Sequence, residues 1–211
     1  MAALDYKTSD NSSSDFTKLK VFNINNTEIN DDNNTKDIPL QSSWTFWLDK
    51  AVRGRTVDEY KENLKKVYTV DTIQNFWAVY NNIPKVCEIQ NKYSYHLMRD
   101  ERLPLWEETD NQKGGTWRFR CHKNDTETIW KEVVLGAIGE QFNKYIHKND
   151  EICGVTVSIR DRDDLIQIWN VDADLANAAT IIPAVVELLP KINYLGQFYK
   201  PHQLNYAYER H

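Results

Sequence analysis

The chain is predicted to fold as an α+β domain: one antiparallel sheet with helices on one face. Three observations carry this. Seven short runs rich in β-branched and aromatic residues read as strands, and they fall largely in pairs. Three segments between them carry apolar residues at helical spacing. Paired strands with three intervening helices build a sheet covered on one side. The seven tryptophans allow a large core for the length of 211 residues.

Trp44 to Leu48 reads as the first strand. A loop with Arg53-Gly54-Arg55 follows, then a short turn or helical piece around Val57 to Tyr60. Lys65 to Val70 is strand-like through Val67, Tyr68 and Val70. Asp71, with Gln74 three residues on, is a variant capping box and opens a helix through about Asn81. Ser94 to Met98 and Thr116 to Cys121 are strands, with a glycine-marked turn at Gly114-Gly115 between them. Thr126 to about Ile146 is the longest helix, with Ile129, Trp130, Val133, Val134, Ala137 and Ile138 in a broad apolar stripe. Val155 to Ile159 and Leu165 to Val171 make a hairpin around Arg160-Asp161-Arg162-Asp163-Asp164. Ala173 to Leu189 is the third helix, its regular part starting at Pro183. Lys191 to Tyr199 is the last strand.

Residues 1–37 are rich in Asn, Asp, Ser, Thr and Lys and lack apolar periodicity, which marks a disordered tail. The folded domain is expected over 38–204, with a short C-terminal tail over 205–211. The net charge of −5 argues against a broad basic surface for non-specific nucleic-acid binding, but leaves room for a small basic pocket. The three cysteines form no C-x-x-C pair and no even disulfide set, so reduced, packed thiols in the cytoplasm are expected, with the nucleus as a second compartment. Cys121-His122 lacks a second ligand pair for zinc, and no cofactor is expected. No apolar run approaches ~18 residues, and the N-terminus lacks a hydrophobic signal core. A monomer that does not enter membranes is the expectation.

The run Leu103-Pro104-Leu105-Trp106-Glu107-Glu108 sets an aromatic face beside a carboxylate on a proline-anchored loop. That pair suits a flat, cationic ring with two adjacent N–H donors: the face attracts the charge and the carboxylate accepts both hydrogen bonds. A 7-methylguanine base has this chemistry. A half-buried packing tryptophan is the competing reading.

The order of phrases decides between them. Trp44-Thr45-Phe46-Trp47, Phe76-Trp77-Ala78-Val79-Tyr80-Asn81, Pro104-Leu105-Trp106-Glu107, Gly114-Gly115-Thr116-Trp117, Ile138-Gly139-Glu140-Gln141-Phe142, Cys153-Gly154-Val155 and Ile168-Trp169 follow one another. This series resembles the eukaryotic translation initiation factor 4E family over roughly residues 38 to 201. Ser42-Ser43-Trp44-Thr45-Phe46-Trp47-Leu48-Asp49, Ser94-Tyr95-His96-Leu97-Met98-Arg99 and Phe198-Tyr199-Lys200-Pro201-His202 make it most like type 3 (class III). The resemblance implies a curved sheet with three helices on its convex face and a slot for the messenger RNA cap on the concave face. Trp106 takes the place of a stacking tryptophan and Glu107 that of the base-reading acid. Aligning Asn63-Leu64 puts Tyr60 where usual members carry the other stacking tryptophan. Arg160 and Arg162 match phosphate-binding residues, Leu165 and Thr116 stand where basic residues are usual, and Trp169 matches a tryptophan near the N7 methyl group. Arg160-Asp161-Arg162-Asp163-Asp164 also reads as a self-neutralised turn.

The resemblance further implies a partner groove from Ile73, Trp77, Leu135, Ile138 and Glu140, with Pro39-Leu40 at its edge and Lys131 bordering it. It would take initiation factor 4G or a 4E-binding protein through a helical Tyr-x-x-x-x-Leu-φ segment. The leading expectation is a non-enzymatic cap-binding regulator of translation initiation. The alternative is a partner-binding module whose cap pocket has weakened or lapsed. A hydrolase has no support from any nucleophile elbow, phosphate-cradling loop or metal cluster.

Overall fold

Alternation of side chains along each strand sorts the sheet into two unlike faces. In β1 (Pro39–Lys50), Trp44, Phe46 and Leu48 enter the main core, while Trp47 joins a separate cluster on the other side. β3 (Tyr93–Arg99) repeats this with Tyr93, Tyr95 and Leu97 against Met98. The computed structural model describes residues 36–52, 54 and 56–203. The expected tails lie outside the described residues, apart from Lys36 and Asp37.

The remaining strands are β2 (Lys65–Thr72), β4 (Gly115–Cys121), β5 (Ile152–Ser158), β6 (Asp164–Asn170) and β7 (Gly196–Pro201). All seven form one sheet in the order β2-β1-β3-β5-β6-β4-β7, and every neighbouring pair is antiparallel. Register shifts in the β1–β2 and β5–β6 pairs bend it. The α+β class and the single antiparallel sheet are as expected. Three helices supply the covered face: α2 (Ile73–Tyr80) through Phe76 and Val79, α3 (Thr126–Ile138) through Ile129, Trp130, Val133 and Val134, and α4 (Ile181–Leu188) through Ile181 and Val185. A fourth, short helix, α1 (Val57–Asn63), carries Tyr60. Thr56 caps it in a complete capping box with Glu59.

Several element ends differ from expectation, each for a physical reason. α2 is capped by Thr72, whose hydroxyl accepts from Asn75 N at 3.1 Å; Asp71 is still in β2 and accepts from Asn75 Nδ2. α3 stops at Ile138 rather than near Ile146. Glu140 adopts a left-handed φ of 54° while its carboxylate takes both ends of the Arg99 guanidinium, at 2.7 and 2.9 Å. A 3-10 turn, Gln141–Tyr145, replaces the rest of the helix. The third expected helix splits into a 3-10 turn, Ala173–Ala178, and α4. Pro183 sits in the first turn of α4, where its missing N–H costs no hydrogen bond. β7 begins at Gly196, not Lys191.

Candidate functional site

The open face holds a small apolar floor of Trp47, Met98, Cys153 and Trp169, with Leu64, Leu103, Trp106 and Val171 packed against it. Close approach builds this floor: a Cβ at Gly154, opposite Trp169 in the β5–β6 register, would overlap the Met98 thioether. Trp169 is 6% exposed, and its Nε1 donates to Thr156 Oγ1 at 2.9 Å.

Trp106 is half-buried on the loop after β3. The loop is built rather than loose. Pro104 and Leu105 are buried. Asn111, itself buried, donates through Nδ2 to the carbonyls of Leu103 at 2.8 Å and Leu105 at 2.7 Å. Gln112 Nε2 donates to the Glu107 carbonyl at 2.6 Å. Glu107 follows half-buried. α1 borders the same loop through the Lys61–Glu108 ion pair at 2.6 Å.

Tyr60 is tied to the floor by a polar chain. Its phenol donates to Asp49, burial and then the Asp49 and Glu107 charges pushing its ionisation well above the usual range. Asp49 accepts from His96 Nε2 at 3.0 Å, and His96 Nδ1 meets Thr156 Oγ1 at 2.9 Å. Thr156 in turn receives the Trp169 indole. Burial pushes the Asp49 carboxyl up, but the hydrogen bonds and attraction of His96, then Tyr60 and Ser94, outweigh it and hold the group below the usual range. Tyr60, Asp49, His96, Thr156 and Trp169 thus form one line across the sheet.

The charged side of this face differs from the expected one. Arg160 is half-exposed and committed to Asp163, to its carboxylate and, from Nε, to its carbonyl at 3.2 Å. Arg120 shares that carboxylate, and Lys123 and Thr126 hold Asp164. The acidic residues at 163 and 164 are buried. Arg162 is exposed. Arg118 (β4), near Arg160, and Lys200 (β7), near Arg118, lie on the open face, and the sequence reading gave neither a role in the site. Burial and Arg160 lower the ionisation of Arg118; burial and Arg118 lower that of Lys200.

His202 lies beneath them, 2% exposed, its ring 4.9 Å from that of Trp169. Burial first, then Arg118 and Lys200, pushes its imidazole from 6.5 down to about 4. The unfolded chain therefore binds more protons here between those values. The stabilising contribution is complete above about 6.5 and is lost as pH falls through about 4. Between about pH 7 and about pH 4.5, wild type is expected to lose about 2–3 kcal/mol more stability than His202→Gln, read from urea midpoints. Equal losses would mean that other groups carry the acid sensitivity.

On the helix-covered face, Ile73 is exposed and Trp77 half-buried, the latter edge-on to Phe76 and Tyr80 at 5.1 and 5.8 Å. Leu40 and Leu135 are half-buried, while Pro39 and Lys131 are exposed. Two expected groove residues are placed otherwise. Ile138 is 8% exposed and packs into the core, with Gly136 and Ala137 of the same turn buried beside it in sequence. Glu140 is engaged by Arg99 and Asn143. Gln74 Oε1 accepts from Ile38 N at 3.0 Å, joining the N-terminal edge to α2.

The family model described as "Eukaryotic initiation factor 4E" matches residues 39–210. The chain belongs to the eukaryotic initiation factor 4E family. It is 35% identical over 144 residues to eukaryotic translation initiation factor 4E of Aplysia californica, covering 66% of this chain and 64% of that relative, just under two thirds. Among solved structures it is similar to C. elegans eIF4E-3 in complex with the 4E-binding protein Mextli and a cap analog. The TM-score is 0.70 and the identity 28%, over 82% of this chain and 96% of that one. It is also similar to Ascaris suum eIF4E-3 in complex with m7G cap, with a TM-score of 0.65 and 28% identity over 79% and 92%. Against the 4E pattern, Trp106, Glu107, Trp169 and Tyr60 gather on the open face, whereas Arg162 stays at the loop tip. Asp49, His96, Arg118, Lys200 and Asn111 are additions to the site: the sequence reading gave none of them a role, although Asp49, His96 and Lys200 stand inside the type 3 phrases. Period-two alternation signals three of them: Asp49 follows Trp47, Arg118 follows Thr116, and Lys200 precedes His202. Among the described residues no group of three or more His, Cys, Asp or Glu could hold a metal ion. No described helix is long and apolar enough to cross a membrane.

Proposed function

We propose that the chain binds the 7-methylguanosine cap of messenger RNA on its open face and regulates translation initiation through a partner held on its helix face. The observation that carries this is the Trp106-Glu107 pair, held on a clamped loop above the Trp169 floor with Tyr60 alongside. Stacking a base on an aromatic ring contributes about 1–3 kcal/mol. The positive charge of the methylated base adds a cation–π attraction. Glu107 would accept from the two base N–H groups, a charge-assisted pair of hydrogen bonds. Tyr60 would form the second wall, with a smaller face than tryptophan, which is the type 3 departure. Arg160 would face the phosphates with part of its charge spent on Asp163. The reading is of a cytoplasmic binding protein, not an enzyme. Its partner would be initiation factor 4G or a 4E-binding protein with a Tyr-x-x-x-x-Leu-φ helix against Trp77, Ile73 and Leu135.

Tryptophan fluorescence tests the ligand. Titration with 7-methyl-GTP is expected to quench the emission saturably, at an affinity about tenfold or more above that for GTP, as befits a cation–π preference. Equal affinity for both, or no binding, would favour the partner-binding module with a lapsed pocket.

A further inference from the structure

The register of the last two strands extends the open face beyond the slot. Trp169 pairs with Thr116, and Thr116 with Lys200. Two pairs further on, and so back on the same face, Gln167 faces Arg118, and Arg118 faces Phe198. Residues directly paired in an antiparallel sheet share a face. Arg118, Lys200 and Phe198 therefore stand on the Trp169 side, with Lys200 two strand spacings, about 10 Å, from Trp169.

These two cations are not balanced. Among the described residues neither Arg118 nor Lys200 has a carboxylate partner within ion-pair distance, while Arg160 and Arg120 share Asp163. Arg118 Nε donates to Thr116 Oγ1 at 2.9 Å, which aims the guanidinium along the strand. Both side chains are half-buried, and each is close enough to a like charge for its ionisation to be depressed. Uncompensated, half-buried cations destabilise a fold until an anion arrives. Phe198, beside them, is 45% exposed, an aromatic face presented to solvent from a strand. Thr116 stands where the family resemblance calls for a basic residue; the missing charge is supplied two residues along the strand by Arg118 and one strand over by Lys200.

Resting on the cap-binding reading, we propose that the capped chain leaves the slot over β4 and β7: Arg118 and Lys200 hold its phosphates, and Phe198 stacks the first base beyond them. The guanidinium fork can take two phosphate oxygens, and the lysine supplies a mobile point charge. An exposed aromatic next to cations is the arrangement by which single-stranded nucleic acid is held without reading its sequence.

The test compares 7-methylguanosine, 7-methyl-GTP and a 7-methylguanosine-capped RNA pentanucleotide on the full chain. Arg118→Ala and Lys200→Ala are each expected to lower affinity for 7-methyl-GTP about five- to thirtyfold and to leave 7-methylguanosine unchanged. Each is also expected to flatten the salt dependence of 7-methyl-GTP binding. Phe198→Ala should spare 7-methyl-GTP and weaken the capped pentanucleotide about five- to tenfold. The charge-free, shape-keeping changes Arg118→Gln and Lys200→Met should behave as the alanine variants do. An Arg118→Ala, Lys200→Ala double variant with wild-type 7-methyl-GTP affinity would overturn the phosphate path. Equal loss of 7-methylguanosine and 7-methyl-GTP would also overturn it, because the residues would then act on the slot and not on phosphate. A Phe198→Ala protein that holds the pentanucleotide as tightly as wild type would remove the stacking step. If wild type binds none of the three ligands, the cap reading fails first, and the path falls with it.

Discussion

Trp106→Ala lowers affinity for 7-methyl-GTP by about 1–3 kcal/mol, roughly fivefold to a hundredfold, and leaves the protein folded. The loss follows from removing the only ring that the Pro104-Leu105-Trp106-Glu107 loop offers to the slot. Folding survives because the indole is half-buried at the margin of the Trp47, Met98, Cys153 and Trp169 cluster. The loop backbone is held by the two Asn111 hydrogen bonds and by buried Pro104 and Leu105, none of which needs the indole. Calorimetric titration with 7-methyl-GTP, beside a urea melt of the same preparation, measures both quantities. Unchanged affinity in a folded variant would transfer the stacking role to Trp169 or Tyr60.

Trp77→Ala removes binding of a Tyr-x-x-x-x-Leu-φ peptide and spares the cap analogue. An aromatic anchor in a groove contributes about 2 kcal/mol or more, so the peptide weakens roughly thirtyfold or beyond. Phe76, 1% exposed, and the buried Val79 keep α2 on the sheet without Trp77. The two sites lie on opposite faces, the apolar floor on one and the helix core on the other, so the two losses should separate. Calorimetry with peptide and with 7-methyl-GTP on one preparation reads this directly. A variant that loses both ligands together would make Trp77 a core residue and end the groove assignment.

The elements with clear local periodicity were legible. Strand alternation located all seven strands, and the Trp106 phrase located the loop that borders the floor. Contacts between distant residues were not. α3 ends at Ile138 with Gly139 as its C-cap, a local stop signal that the reading passed over; what is not legible locally is the hold of Arg99, 41 residues earlier, on Glu140 just beyond. The line from Tyr60 to Trp169 was illegible for the same reason, since Asp49 and His96 are 47 residues apart and Thr156 is 60 further on. Charge was legible as composition but not as pairing. Arg160 and Arg162 matched a pattern, yet only the fold assigns Arg160 to Asp163 and leaves Arg118 and Lys200 without a carboxylate among the described residues.

Asn111 gives the slot a temporal property. One amide clasps the carbonyls of Leu103 and Leu105, on either side of Pro104, so the ring at 106 is held by a closed loop of nine residues rather than by whatever it stacks on. The ordering entropy of that loop is therefore spent when the chain folds. A ligand arriving at the open face meets a wall already standing. Association should then run at the pace of encounter, and changes to the contacts should register mainly as shorter residence times.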